Sequence, residues 1–403
     1  MGLKTMLNSP QPNIDTAYIT HLACSGCGKE YPASQVQTYC PDCHSPLLVS
    51  YDLDGIRKNH PRESFSARPP GMWRWHELLP VQSAFNRITL GEGDTPLLPL
   101  RRLGEQLGLS DLLLKDEGKN PTASFKARGM SVAISRAKEL GIRKVALGGK
   151  ENTASALAAY AARAGLQAHI YMSAETPPKV VDEIRLTGVE VELVKDLESS
   201  SNGILEEPKQ EGWFDLSTFH EPYRIEGQKT IGYEIAEALG WVLPDVIICP
   251  TGHGTSLVSL SKSFDEMEAL GWLEDARRPR FVAVQARGCA PIVKAFDAEA
   301  SFCDYWTNAH TIASHLIVPK SFADQLALKI LYESNGMALS VTDEAMQAAQ
   351  RQMGQDEGIH PSFEGAAAFA ALFKLIQQKW VQPSERIVLL NTSWGLKHQQ
   401  ALL

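Results

Sequence analysis

An α/β fold with mostly parallel sheets, in two domains behind a small cysteine ribbon, is what this sequence predicts. Three observations carry that expectation. From Lys126 onward, short apolar runs alternate with helical stretches at close intervals. Glycine and proline mark the joins between them. Near the start, Cys24-x-x-Cys27 and Cys40-x-x-Cys43 stand twelve residues apart.

Two tight Cys-x-x-Cys turns can present four thiolates to one tetrahedral zinc. Gly26, Gly28 and Pro41 suit that geometry. Cys24, Cys27, Cys40 and Cys43 are therefore the expected metal ligands, with disulfides as the alternative. Four thiolates leave no open position, so this zinc is expected to be structural. His21 and His44 flank the site and are not assigned as ligands. Cys249, Cys289 and Cys303 are scattered and are expected to be buried, reduced thiols.

Residues 61–70, rich in Pro, Arg and Ser, read as a connector. Strands are expected at 112–115, 145–147, 168–172, 189–194, 246–249 and 281–285. Helices are expected at 130–140, 155–164, 180–186, 230–239 and from 257 onward. Strand and helix alternating this tightly imply right-handed crossovers and parallel sheets. The division expected is a ribbon and N-terminal segment at 1–60, a large domain from 61–129 with 214–403, and a small mobile domain at 130–213.

A chain of 403 residues can hold two or three domains around a large core. Its 44% hydrophobic and 21% charged residues are ordinary for a soluble globular protein. The net charge of −8 argues against a general nucleic-acid or anionic-membrane partner, but leaves room for a locally basic pocket. No apolar run approaches the roughly 18 residues of a membrane span. Residues 1–18 lack a signal layout, and Met6 stands where a myristoylation site needs Ser or Thr. A cytoplasmic location is the expectation.

The stretch Asn120-Pro121-Thr122-Ala123-Ser124-Phe125-Lys126-Ala127-Arg128-Gly129 sets a lysine on a turn that leads straight into a helix. An amine fixed that way can react with an aldehyde cofactor once its surroundings favour the neutral form. Pro250-Thr251-Gly252-His253-Gly254-Thr255-Ser256 follows a strand and opens a helix, where backbone N–H groups converge on a phosphate. Gly148-Gly149-Lys150-Glu151-Asn152-Thr153 occupies another strand-to-helix turn, and Asn391-Thr392-Ser393-Trp394-Gly395-Leu396-Lys397 closes the chain's last expected strand.

Together these four stretches resemble the threonine synthase-like family, pyridoxal-phosphate enzymes of fold type II, and the resemblance runs from the cysteine ribbon to Lys397. The family's lysine motif reads Asn-Pro-Thr-Gly-Ser-Phe-Lys-Asp-Arg-Gly, so Ala123 and Ala127 are departures. By this resemblance pyridoxal phosphate is bound covalently by Lys126, the catalytic residue. Its phosphate is received by Gly252, His253, Gly254, Thr255 and Ser256, its phenolic oxygen by Asn152, and its ring nitrogen by Thr392. The imidazole of His253 is expected to pack outward. Lys150, Glu151 and Thr153 face the substrate by the same comparison, although Lys150 and Glu151 replace the family's hydroxyl residue and glycine. His315 and Ile317 fall where many relatives carry Gly and Arg.

The activity implied is conversion of O-phosphohomoserine and water to threonine and phosphate. Alternatives on the same scaffold are cysteate synthase-like replacement, ammonia-lyase-like elimination, and a cofactor-binding regulator without turnover. The expected partner is an anionic amino acid, and analogy with the fold implies a homodimer.

Overall fold

The computed structural model describes residues 18–195 and 211–398. The stretch read above for leader and lipid signals therefore lies outside the described residues, except Tyr18, as do 196–210 within the expected small domain. In chain order the strands are β1 (Ile19–Cys24), β2 (Glu30–Pro32), β3 (Leu47–Tyr51), β4 (Leu97–Pro99) and β5 (Asp111–Asp116). Next come β6 (Lys144–Gly148), β7 (Gln167–Ser173), β8 (Glu190–Val194) and β9 (Phe214–Asp215). The last four are β10 (Val246–Pro250), β11 (Arg280–Ala286), β12 (Met337–Val341) and β13 (Arg386–Asn391).

These strands form three sheets. The ribbon is a small sheet in the order β2-β1-β3, antiparallel throughout. The largest runs β12-β11-β10-β13-β5-β4, and only the edge pair β4–β5 is antiparallel. The third runs β8-β7-β6-β9 and is wholly parallel. Parallel strands covered on both faces read as continuous apolar runs. Val246-Ile247-Ile248-Cys249-Pro250, buried at every position, is the clearest case. Among the described residues no helix is long and apolar enough to cross a membrane.

Three helices begin four or more residues earlier than their apolar periodicity suggested, among them Arg224–Ala238, expected from 230. Lys126–Glu139 starts at the lysine itself, and Glu151–Ala164 starts four positions before the expected Ser155. Their first turns carry polar residues that are nonetheless largely buried, so hydrophobic spacing could not reveal them. The helix Arg224–Ala238 crosses Lys126–Glu139 at a pair of glycines. A Cβ at Gly227 would stand 2.0 Å from the Arg128 carbonyl oxygen, and one at Gly129 would stand 2.3 Å from Arg224 Cγ. Only glycine permits that approach.

The expected connector at 61–70 contains a short helix, Arg62–Ser66. Its Phe65 is fully buried, stacked on Trp75 at 5.3 Å and tilted against Trp272 at 5.0 Å. Burial of that ring among other aromatics organises a segment whose composition alone reads as loop.

Arg128, wholly buried, closes the crossing. Its guanidinium donates to both carboxylate oxygens of Glu117, at 2.7 and 2.9 Å, and to both of Glu234, at 2.6 and 2.7 Å. Lys115 joins Glu234 at 2.7 Å. Removing one member of such a set strands the others in a dry interior. Arg128→Met is expected to cost about 3–5 kcal/mol of stability, read as a lower urea midpoint; an unchanged midpoint would refute the account.

Candidate active site

A cavity of about 750 Å³ opens at the carboxyl ends of β6 and β10, where open α/β sheets place their ligands. Its lining draws on several chain segments. Lys126 and Phe125 come from the start of a helix, Gly148 to Lys150 with Asn152 and Thr153 from the turn after β6, and Gly252 to Ser256 from the turn after β10. Thr392 follows β13. These sequence-predicted residues thus meet in one place, with Glu151 alone outside the lining.

Local geometry explains how Lys126 is held. Asn120 Oδ1 accepts from the Gly93 amide at 3.0 Å, and its amide group donates to Glu117 Oε2 at 2.8 Å. Thr122 and Ala123 both take left-handed backbone, at φ +58° and +55°. Ala123 stands where the resembling motif carries glycine, so the departure stores strain of roughly 1–2 kcal/mol. Beyond it, the Phe125 amide donates to the Thr392 carbonyl at 3.0 Å and the Trp394 amide to that of Ala123 at 3.0 Å. This bridge sets Thr392 beside the lysine.

The Lys126 ammonium is buried and lies 4.5 Å from the centre of the Phe125 ring. Burial, and then the nearby Arg224, push its pKa down to about 7. His253 lines the same cavity instead of packing outward, and the next residue, Gly254, turns the chain at φ +80°. Desolvation, then the charges of Lys126 and Lys150, push the His253 imidazole down to about 3, so it is neutral. Gly254 caps the helix Thr255–Ala269 without a side-chain bond. A Cβ on Gly252 would stand 2.6 Å from the His315 carbonyl oxygen.

Lys150 and Glu151 have specific partners. Lys150 Nζ donates to the carbonyls of Ser314 at 2.8 Å and Ile317 at 2.5 Å. Glu151 turns its carboxylate toward His315 Nε2, at 3.5 Å. That ring nitrogen also lies 3.2 Å from the Asn152 amide, while Nδ1 lies 3.3 Å from Glu364. Four departures from the family pattern, Lys150, Glu151, His315 and Ile317, therefore touch one another. Asn152 Oδ1 is buried with no hydrogen-bond partner.

Among the cavity residues that escaped the sequence reading are His220 and, from the ribbon, His44 as a wall residue. A single histidine in a loop carries no periodic or motif signal. In the ribbon, Cys24, Cys27, Cys40 and Cys43 gather so that their sulfurs lie within 4.8 Å of one another. Cys24 and Cys43 are 3.3 Å apart, Cys27 and Cys40 3.7 Å. The amides of Gly26 and Cys27 both donate to Cys24 Sγ, at 3.4 Å.

A parallel-sheet α/β fold with a buried lysine facing a glycine-lined helix start defines a cofactor-dependent enzyme. Residues 88–393 match the model of the pyridoxal-phosphate dependent enzymes, and the chain belongs to that family. It is 34% identical to the threonine synthase of Methanocaldococcus jannaschii, over 94% of this chain and 93% of that protein. It is also 34% identical to the threonine synthase of Methanosarcina acetivorans, over 95% and 93%. The solved structure of threonine deaminase isoform 2 from Solanum lycopersicum shares the fold, with a TM-score of 0.64, 21% identity, and coverage of 76% of this chain and 80% of that one.

A lowered lysine pKa has a direct consequence. In cofactor-free protein, Lys126 should undergo reductive methylation with a midpoint near pH 7, becoming reactive as pH rises through that value. Ordinary lysines titrate above about pH 10. Peptide mass spectrometry across pH reads the difference, and an ordinary Lys126 titration would rule out the depressed value.

Proposed function

We propose that this chain is a threonine synthase, converting O-phosphohomoserine and water to threonine and phosphate. The observation that carries the reading is Lys126: buried, half-neutral near pH 7, and facing the same cavity as Gly252 to Ser256 and Thr392. The names of the relatives that match nearly the whole chain support the substrate.

The residues present fit pyridoxal phosphate. Lys126 would hold the aldehyde carbon, and the uncapped amides from Gly254 to Ser256 would receive the phosphate. The unpartnered Asn152 Oδ1 suits a phenolic oxygen that carries a shared proton, and Thr392 would meet the ring nitrogen. Bound there, the cofactor supplies an electron sink for negative charge that develops on the substrate carbons. Lys126, once displaced by the substrate amine, acts as the base at those carbons, and its low pKa suits that role. Lys320 on the cavity wall and the nearby Arg224 favour an anionic substrate.

Absorbance of the purified protein tests this directly. We expect a visible band that is absent from Lys126→Ala, shifts on addition of O-phosphohomoserine, and is accompanied by threonine. A band that responds to serine or O-phosphoserine but ignores O-phosphohomoserine would instead favour elimination or replacement at the β-carbon. The tethered Lys150 loop is the observation that favours that second reading. No band after cofactor is supplied would end both.

We also propose that the four ribbon cysteines hold a structural zinc. Thiolates on a tetrahedral zinc at ~2.3 Å stand about 3.8 Å apart, close to the Cys27–Cys40 spacing of 3.7 Å. Metal analysis should find about one zinc per chain, lost in the double variant Cys40→Ser, Cys43→Ser. Metal-free wild type with four freely titrating ribbon thiols would dispose of the assignment.

A further inference from the structure

His220 lies in the loop after β9, on the wall of the cavity that contains Lys126. Its Nδ1 stands 2.8 Å from Asp215 Oδ2, and the other Asp215 oxygen accepts from the Ser217 amide at 2.8 Å. Asp215 is buried, with its side chain 2% exposed. Burial works against its charge, but the bonds from His220 and Ser217 hold its carboxyl below the usual range. An ionised carboxylate only accepts, so Nδ1 carries the proton of this bond. The remaining ring nitrogen, Nε2, has no hydrogen-bond partner among the described residues.

The ring is also immobilised. Phe322 packs against it at 4.7 Å and Tyr39 of the ribbon at 5.5 Å, edge-on. The charged or titratable neighbours are Asp215, which also feels Arg224 and Glu221, His253, which also feels Lys126, Lys150 and Arg224, and His44 behind Tyr39. A carboxylate that fixes the tautomer and supports charge on the ring, with the second nitrogen open to substrate, is the arrangement of a general acid–base group.

We infer that His220, oriented by Asp215, relays a proton within this cavity, from the incoming water to the departing phosphate. The inference rests on the threonine synthase reading and deepens it. As the Cγ–O bond of O-phosphohomoserine breaks, its electron pair leaves with the phosphate oxygen, and that oxygen takes the Nε2 proton of the doubly protonated ring, while Nδ1 keeps its proton in the bond to Asp215. When the oxygen of water bonds to the β-carbon, the proton that water sheds returns to Nε2. The hydrogen lost from the β-carbon and the one gained at the γ-carbon pass through Lys126. The sum balances: the phosphate leaves with the proton that water gave, and His220 ends as it began.

The test uses holoenzyme. His220→Gln should lower kcat by about 10²- to 10³-fold, leave KM for O-phosphohomoserine within about threefold, and abolish one limb of the kcat pH profile. Asp215→Asn should lower kcat and displace the same limb. An unchanged visible band and melting temperature in His220→Gln show that the cavity is intact. Independently of turnover, the Nε2 resonance of His220 in 15N-histidine-labelled wild type should move when inorganic phosphate is added. The inference is overturned if wild type and His220→Gln make threonine with equal kcat, if only KM rises, or if that resonance ignores phosphate. Wild type that makes no threonine at all is a different failure, which removes the synthase reading and the relay with it.

Discussion

The Arg128 guanidinium is the constraint on which the site depends. An isolated buried charge is costly, so the chain must bring anions to it and satisfy every one of their lone pairs. Glu117 and Glu234 come from a turn after β5 and from the helix Arg224–Ala238, far apart in sequence. Their remaining capacity is taken by the amides of Asp94 and Thr95, the Thr95 hydroxyl, Lys115 and Asn120. Burial opposes the charge of Arg128, yet Glu117 and Glu234 raise its pKa above the usual arginine range; the Glu234 carboxyl is driven well below its own. Residues 94–95, 115–120 and 234 are therefore locked around a residue two positions from Lys126. The lysine inherits that rigidity without itself taking part in the network.

Electrostatics in the cavity follows from what is left unpaired. Arg128 is fully matched by carboxylates, whereas Lys126 has burial and a nearby Arg224 but no adjacent anion. The first arrangement stabilises a permanent cation and the second a neutral amine. Two basic side chains on the same first turn of one helix thus acquire opposite behaviour. Lys150 is a third case: its ammonium is held by the backbone carbonyls of Ser314 and Ile317. That charge ties the turn after β6 to the 314–317 segment while remaining near the cavity. Read singly, Lys150, Glu151, His315 and Ile317 look like four unrelated departures from the family pattern. In space they form one contacting group, in which each change has a partner.

How much was legible in the sequence depended on whether the signal was local. The strands β5, β6, β7, β10 and β11 were readable because apolar runs between turn residues need no distant partner to be recognised. Lys126 was readable because its frame, Asn120 to Gly129, is contiguous, and Gly252 to Ser256 for the same reason. The Cys-x-x-Cys pairs were legible as a cluster from spacing alone. Phe65 was not, since its neighbours Trp75 and Trp272 are brought to it by the fold, and its own segment is rich in loop formers. The early starts of the helices at Lys126 and Glu151 were hidden because their buried first-turn groups are polar. His220 depends on Asp215 for its tautomer, on Phe322 and Tyr39 for its packing, and on the cavity for its role. None of these is visible from residues 216 to 223.

The ribbon is part of this cavity as well as a neighbour to it. Tyr51 at the end of β3 donates to Glu226 at 2.9 Å, and Lys262 donates to the Val49 carbonyl at 2.7 Å, so the small sheet is pinned to two helices of the main body. Its second cysteine turn faces the other way. Tyr39 pairs with Pro46 across that turn, and the His44 amide donates to the Cys40 carbonyl at 2.9 Å. The same few residues that gather Cys40 and Cys43 therefore set the Tyr39 ring against His220 and Phe322, and His44 on the cavity wall. His44 adopts a left-handed backbone at φ +57°, uncommon outside glycine though less so for histidine than for most residues. A turn that gathers two of the four cysteines thus also forms part of the rim of the cavity and packs against the His220 ring on its wall.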